Sequence, residues 1–394
     1  MTRTKGLKLE ALLVSIADVL PHSPLRAAPL RLPAGPLVVD LGVIGPGKVG
    51  SALLTQLRLA APRLLRECNL QLRLRAVSDS RHMWLDCDDD ALNSRIHGAQ
   101  TWRPTALNEF AAYVAGRGDN VAVLADCSAS DAVAEHYAGW LGAGIHVVTP
   151  NKRAASGPLD RWHRIAQASN ASGARLHYEG TVGAGLPVVQ TLRDLIDTGD
   201  ELLSVEGMLS GTLAWLFNRF DGSQPFSALV RQAHEMGYTE PDPRDDLSGV
   251  DVARKLVILS REAGLPLSLE DVDVRSLIPA SLTDCDRAEF MDRLDELDAP
   301  MAALLTEARA SGGVLRHVAR LHEGRASVGV QVLGADHAFA HARLTDNVVR
   351  FATRRYCDNA LVVQGPGAGP EVTAAAVFTD LLRVAGAMGV KRCA

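Results

Sequence analysis

Six cysteines in 394 residues stand scattered at positions 68, 87, 127, 285, 357 and 393, with no Cys-x-x-Cys pair and no histidine cluster beside them. That spacing excludes a zinc site and a disulfide framework in a chain of this size, and leaves reduced thiols in the cytoplasm as the expectation. A basic excess is missing too. Lysine and arginine number 41 against 46 aspartates and glutamates, a net charge of −5, so nothing argues for nucleic acid or a membrane surface as partner. No run reaches the roughly 18 apolar residues that a membrane-spanning helix needs. Arg3, Lys5 and Lys8 precede a short apolar run, but Glu10 and Asp18 flank it and no small-residue cleavage site follows, so it is not read as a secretory signal. Internal repeats and low-complexity segments are absent. The acidic run Asp86, Asp88, Asp89 and Asp90 reads as a solvated loop rather than a cation site.

What is present is ordinary globular composition, 47% hydrophobic and 22% charged, long enough for two or three domains each with its own core. Residues 1–36 end in Pro33, Gly35 and Pro36 and read as an extension. Leu37–Ile44 is an apolar run suited to a buried parallel strand, and Ser51–Leu59 has helical periodicity. Strands are expected at Leu70–Val77, Val121–Ala125 and Ile145–Val148, with a helix from Asp131 to Leu141 between the last two. This alternation predicts an α/β fold of the Rossmann type, a doubly wound parallel sheet over 37–178. After Asn151 the pattern changes. Helical segments at 187–197, 212–219, 226–236, 250–263 and 301–310 precede strand-like runs at Val314–Leu321, Ala326–Leu333, Val348–Thr353 and Leu361–Gln364. These make 179–364 an inserted α+β domain for catalysis and dimerisation, after which a helix over 371–387 completes the first domain within 365–394.

Gly45-Pro46-Gly47-Lys48-Val49-Gly50 sits between the first strand and the first helix, where a dinucleotide fingerprint belongs. Its glycines serve the tight turn, the approach of the pyrophosphate and the packing of helix on strand, and the helix N-terminus faces the phosphates. The choice between NAD and NADP falls to Ser78-Asp79-Ser80-Arg81, after the second strand. A carboxylate there suits the ribose 2′-hydroxyl and an arginine the 2′-phosphate, so both cofactors stay open, with Arg81 tilting the reading toward NADP.

The second cluster is Gly237–Lys255. Pro241 and Pro243 rule out a helix through 241–243, which places Glu240, Asp242, Asp245 and Asp246 on a rigid loop. On the following helix Asp251, Arg254 and Lys255 form a narrow polar stripe. Ser248 and Asp251 also fit a capping box, and Asp251–Lys255 a plain i,i+4 ion pair. A lysine among carboxylates on a mostly buried helix is equally a candidate proton donor. Lys152 follows the fourth strand, at the carboxyl edge where open sheets bind substrates, though a surface lysine would look the same.

Taken together these stretches resemble homoserine dehydrogenase, from about Val38 to Leu382. The motifs that carry the likeness are Val147-Val-Thr-Pro-Asn-Lys152, Glu179-Gly-Thr-Val-Gly-Ala-Gly-Leu-Pro187, Leu209-Ser-Gly-Thr-Leu and the Gly237–Lys255 block. The likeness is strongest to the dehydrogenase half of the bifunctional aspartokinase–homoserine dehydrogenases. It implies NAD(P)-dependent interconversion of L-homoserine and L-aspartate 4-semialdehyde, in threonine and methionine biosynthesis. Lys255 would then exchange the hydroxyl proton, with Lys152 assisting. Glu240, Asp246 and Asp251 would hold substrate, Glu240 by its ammonium group. Pro46, Lys48, Val49, Ser128, Lys152, Gly237 and Gly365 occupy cofactor positions. Glu179, Val182, Ala184 and Leu186 would surround a monovalent cation, Na+ or K+. A homodimer joined through about 314–364 is implied as well. Ala129 departs from the serine common in relatives. An aspartate-semialdehyde dehydrogenase is the rival enzyme, but it needs a cysteine nucleophile, and Cys127 lies away from the acidic block. A non-enzymatic NADPH sensor would not need Glu240, Asp251 and Lys255 together. The chain ends about 25 residues after Gly369, and no segment is left for a threonine-binding regulatory domain, so little inhibition by threonine is expected.

Overall fold

The computed structural model describes residues 35–85, 102–116 and 120–390; the extension up to residue 34 and the acidic run at 86–90 lie outside the described residues. The first half alternates strand and helix: β1 (Leu37–Ile44), α1 (Lys48–Cys68), β2 (Leu70–Ser78), β3 (His82–Leu85), β4 (Arg103–Pro104), α2 (Leu107–Ala115), β5 (Val121–Asp126), α3 (Asp131–Ala134), α4 (Tyr137–Gly142), β6 (His146–Val148), α5 (Lys152–Ser156), α6 (Leu159–Ser172) and β7 (Leu176–His177). Its sheet runs β4-β3-β2-β1-β5-β6-β7. β1 is central and parallel to β2 and β5, and its last six residues are buried, as a strand covered on both faces must be. The chain leaves β1 toward β2 on one side and returns through β5 on the other. Loops after β1 and β5 therefore meet at a topological switch point, where Cys127 N–H donates to Ile44 O at 2.8 Å.

The second half continues with α7 (Val188–Asp197), β8 (Leu202–Met208), α8 (Gly211–Arg219), α9 (Phe226–Glu235), α10 (Pro243–Leu247), α11 (Val250–Glu262), β9 (Val272–Val274), α12 (Arg287–Asp292), α13 (Asp298–Ala310), β10 (Val314–His322), β11 (Arg325–Leu333), β12 (Asp346–Thr353), β13 (Leu361–Pro366) and α14 (Pro370–Ala387). Its sheet runs β13-β12-β8-β10-β11-β9, antiparallel except for β9 beside β11. Val205, Ala319, Leu321, Val349 and Phe351 face the core formed with α7, α8, α9, α11 and α13. Glu206, Arg320 and Arg350 share the opposite face, with Glu206 3.1 Å from Arg320 and 3.0 Å from Arg350. α14 closes the circuit by burying Val377, Leu381 and Val384 against Leu53 and Leu57 of α1.

Several elements depart from the sequence expectation. α1 runs through Pro62 to Cys68 instead of stopping near residue 59, because Leu64 and Cys68 remain on its buried face and their burial offsets the lost hydrogen bond and the ring clash of an interior proline. β3 and β4 add an antiparallel edge to the parallel sheet. The helix expected over 131–141 breaks into α3 and α4. β8, which hydrophobic patterning did not flag, is an interior strand of the second sheet. Cys68 is disulfide-bonded, against the expectation of reduced thiols throughout, whereas Cys127, Cys285 and Cys357 are free. Among the described residues, no helix is long and apolar enough to cross a membrane.

Candidate active site

At the switch point the glycine loop takes the shape its residues dictate. Gly45 has φ of +78°, and a Cβ there would stand 2.9 Å from Ser128 N. A Cβ on Gly50 would stand 2.3 Å from Gly45 O, so α1 can pack against the turn only with glycine. Gly47 faces open space. It also caps α1 without a side-chain acceptor, and no acidic residue lies in the first turn. The first amides, on Lys48, Val49 and Gly50, are thus left for an anion, which is the fit a pyrophosphate needs. At the end of β2, Asp79 Oδ1 accepts from Arg81 N and His82 N, both at 2.7 Å. Those amide bonds hold its carboxyl below the usual range. Arg81 is exposed and its guanidinium makes no hydrogen bond among the described residues.

Beneath the loop after β5 lies a network that patterning did not reveal. Asp126 is fully buried at the end of β5, and its Oδ1 accepts from Ser128 N at 2.8 Å. Its Oδ2 accepts from the Tyr137 hydroxyl at 2.6 Å and from Asn151 Nδ2 at 2.9 Å. Thr149 Oγ1 joins in, donating to Asp126 O at 2.7 Å and accepting from Asn151 N at 2.8 Å. Asn151 in turn caps α5, its Oδ1 accepting from Arg153 N. Lys152, the first residue of that helix, is therefore set by a chain of buried hydrogen bonds. Burial pushes the Asp126 carboxyl up, opposed by its donors. A lone acid closing an apolar strand was the signal available for it. Cys127 next to it is pushed far up, by burial and then by Asp126, which removes it as a thiolate nucleophile.

Lys152 and α11 converge on one carboxylate. Asp251 Oδ1 lies 3.0 Å from Lys152 Nζ and Oδ2 lies 2.9 Å from Lys255 Nζ. Lys255 also donates to Leu209 O at 2.7 Å, from the end of β8. Its side chain is 12% exposed, that of Asp251 44%. Partial burial favours the neutral acid at Asp251, yet Lys255 and Lys152 outweigh it and hold the carboxyl well below its ordinary range. For Lys255 burial wins: desolvation lowers its pKa, Asp251 resists, and Lys152 adds to the lowering. The i,i+4 pair is thus one side of a three-membered bridge.

Pro243 is the first residue of α10, capped by Asp242, so Asp245 and Asp246 stand on the first turn of a short helix and not on an irregular loop. The capping box does not form: α11 is capped by Gly249 at φ +72°, without a side-chain bond. Asp246 Oδ2 accepts from Glu240 N at 2.8 Å, which sets the backbone that carries the exposed Glu240 side chain. Burial raises the Asp246 carboxyl. Ser128, Lys152, Glu240, Asp246 and Asp251 line one cavity of about 620 Å³. Lys255, Arg81, Gly237, Gly365 and residues 45–50 do not line it; Lys255 reaches its edge through Asp251. Gly237 turns the chain after α9 at φ +71°, and Gly365 lies on β13 against Leu186.

The remaining predicted group stands apart. Glu179 Oε1 accepts from Val189 N at 2.8 Å, and Oε2 lies 3.0 Å from Arg383 Nη1 on α14. Gly183 and Ala184 have φ of +75° and +53°. No described residue donates a backbone hydrogen bond to the carbonyls of Val182 or Ala184. The Glu179 carboxylate already has partners.

Two sequence families match the chain: one described as homoserine dehydrogenase over residues 187–382, and one as homoserine dehydrogenase, NAD binding domain, over 45–179. A chloroplastic bifunctional aspartokinase/homoserine dehydrogenase of Zea mays is 44% identical over 373 residues, 93% of this chain and 40% of that protein. The chain thus spans about 40% of the length of the bifunctional plant relatives it matches. A homoserine dehydrogenase of Emericella nidulans is 43% identical over 363 residues, covering 88% of this chain and 98% of that one. A crystal structure of a Candida auris protein of unknown function aligns with a TM-score of 0.81 at 34% identity, over 89% of this chain and 98% of its own.

Proposed function

The chain belongs to the homoserine dehydrogenase family, and from that premise we propose that it interconverts L-homoserine and L-aspartate 4-semialdehyde with NADP as the preferred nicotinamide cofactor. The bound nicotinamide supplies the hydride acceptor for oxidation and the donor for reduction. Lys255 takes the hydroxyl proton as the C4–O bond becomes a carbonyl, and returns it to the oxygen in the reverse direction. Burial lowers the pKa of Lys255, which eases loss of its proton, while Asp251 opposes that and favours the ammonium, so the surroundings bear on both roles. Asp251 holds Lys152 and Lys255 side by side despite their like charges, and Lys152 adds positive potential where an alkoxide would develop. Glu240 takes the substrate ammonium at the cavity mouth, with Asp246 fixing its backbone. Gly45, Pro46, Gly47, Lys48, Val49 and Gly50 receive the pyrophosphate on the open end of α1, Ser128, Gly237 and Gly365 complete the cofactor cleft, and Arg81 reads the 2′-phosphate. A monovalent cation would be held by the carbonyls of Val182, Ala184 and Leu186, with Glu179 as nearby charge. Two copies would associate through the sheet of β10–β13, where Val362 remains 42% exposed; its test is the solution mass.

The observation that carries this reading is the bridge Lys152–Asp251–Lys255, two proton-bearing side chains from separate parts of the sequence on one carboxylate. Lys255→Ala should lower homoserine-dependent reduction of NADP by roughly 10²–10⁴-fold, the usual size of a general acid–base contribution, while circular dichroism and NADPH binding stay normal. Near-normal turnover in a folded variant would remove Lys255 from the chemistry.

A further inference from the structure

Among the described residues one side chain has both a donor and an acceptor buried without a bond: Asn347, on β12. It is 0% exposed, so bulk water reaches neither Oδ1 nor Nδ2. Leaving such groups unmet is unfavourable, whereas an apolar side chain of the same shape would incur no such cost. The sheet itself does not call for an amide. Val349 and Phe351, on the same face of β12, are ordinary core residues.

What lies against the amide is the loop Gly365-Pro366-Gly367-Ala368-Gly369, which joins β13 to α14. Asn347 stands opposite Gly365 in the register of the two strands. A Cβ on Gly367 would overlap the amide, 2.0 Å from Asn347 Cγ and 2.2 Å from Nδ2, so only glycine lets the loop pass over it. Ala368, the next residue, is exposed and makes no hydrogen bond among the described residues. A free amide and an unbonded peptide thus lie one residue apart, joined by backbone with three glycines in five positions.

The same loop borders the support of Lys255. The register pairs Val348 with Met208, which brings Asn347 level with Leu209, and Leu209 O accepts from Lys255 Nζ at 2.7 Å. Ser210 lines the Lys152 cavity. A Cβ on Gly211 would stand 3.5 Å from Thr345 O and 3.7 Å from Ala368 Cβ, so the loop and the start of β12 pack on the strip Leu209–Gly211.

We propose that Asn347 is a positioning residue for the reaction: its amide bonds the Ala368 peptide when the loop seats, and the seated loop holds the Leu209–Gly211 strip that carries Lys255. This inference rests on the role given to Lys255 above. The arrangement described here is the loop unseated, which leaves both amide atoms without partners. Asn347 touches neither substrate nor cofactor in this scheme and acts through the loop alone.

The test uses the full chain saturated with NADP. Asn347→Leu keeps the shape of the side chain and removes both polar atoms. Its urea midpoint should hold or rise, because an unmet amide gives way to an apolar group. Its kcat for homoserine oxidation should fall about tenfold, the worth of about one hydrogen bond in the transition state, with the KM for homoserine little changed. A merely structural asparagine would show the reverse, a lower midpoint with kcat in place. Gly367→Ala is the second variant: its methyl group keeps the loop from seating, so kcat should fall likewise in a chain with an unaltered core. The loop is read separately by hydrogen exchange at the Ala368 amide, protected in the unaltered chain and fast in both variants. That readout needs no turnover, so it decides the latch even if homoserine proves not to be the substrate. Unchanged kcat in both folded variants, or an Ala368 amide that exchanges equally fast in all three proteins, would overturn the proposal.

Discussion

Replacing Asp251 by asparagine tests the electrostatics of the bridge most directly. The carboxylate sits about 3 Å from each lysine nitrogen. Two unit charges at that distance attract by about 1.4 kcal/mol at the permittivity of water and about 5.5 kcal/mol at an effective value of 20. Asp251 keeps 44% of its side chain exposed, so the lower figure governs. One pK unit corresponds to about 1.36 kcal/mol, so the loss of charge should lower the Lys255 pKa by about one unit. The direction follows from the charges: a carboxylate favours the ammonium, and the neutral amide does not. In the reductive direction the ammonium is the proton donor, so the limb where kcat falls with rising pH should move down by that amount. In the oxidative direction the neutral amine is the acceptor, so the limb where kcat rises with pH should move down as well. Both are measured on kcat where homoserine deuterated at C4 shows an isotope effect, so that the hydride step is visible. Unmoved limbs in a folded variant that binds NADP would show that Lys255 is not the titrating group.

Glu240→Ala should raise the KM for homoserine and leave kcat largely in place, since this exposed lining residue is assigned to the substrate ammonium and not to the reacting hydroxyl; an unchanged KM would reduce Glu240 to a loop residue. Arg81→Ala should penalise NADP over NAD by roughly 10- to 100-fold in kcat/KM, the value of one bond to a charged group, and equal losses with both cofactors would show that Arg81 does not read the 2′-phosphate. Tyr137→Phe removes a donor from a fully buried carboxylate and should cost about 1–3 kcal/mol in urea unfolding, whereas an unchanged midpoint would mean that Asp126 is satisfied without it.

Patterning was most legible where one rule dominated. β1, α7, α9, α11 and β10 each carry an unbroken apolar face, and their residues alone place them within a position or two. β8 escaped because Glu206 and Gly207 interrupt its apolar residues; the glutamate belongs there only because Arg320 and Arg350, from strands far along the chain, neutralise it. Pro62 and Pro243 both lie in helices whose extent the sequence reading did not give. One sits inside a helix whose buried face outweighs a single missing bond, and the other starts a helix, where its missing N–H costs nothing. At the site, the acidic block and both lysines were visible as chemistry. That one carboxylate joins them was not, because residue 152 and residue 251 lie far apart in the sequence and only the tertiary fold brings them together. The Asp126 network was hidden for a similar reason: Tyr137, Thr149 and Asn151 are individually unremarkable, and only the fold directs them at one acid.

The Lys152–Asp251 pair that lines the cavity is not what holds the fold. Lys152 and Asp251 keep 33% and 44% of their side chains exposed, so their ion pair stabilises the chain by less than about 1 kcal/mol. α5 and α11 are fastened instead by Arg261, buried and bonded to Ala155 and Gly157 at 3.1 and 2.8 Å, and by the Asp126–Asn151 bond beneath α5. The consequence is a division of labour within single helices. The first turn of α11 and the start of α5 can exchange partners when substrate arrives, because breaking their mutual bridge is cheap. The last turn of α11 cannot, because a buried guanidinium stripped of its carbonyls would be left with no solvent to replace them. Substitutions at Asp251 should therefore act on rate and pH dependence with little change in unfolding, and substitutions at Arg261 on unfolding first. Reversal of that order would mean that the exposed bridge, not the buried arginine, joins the two helices.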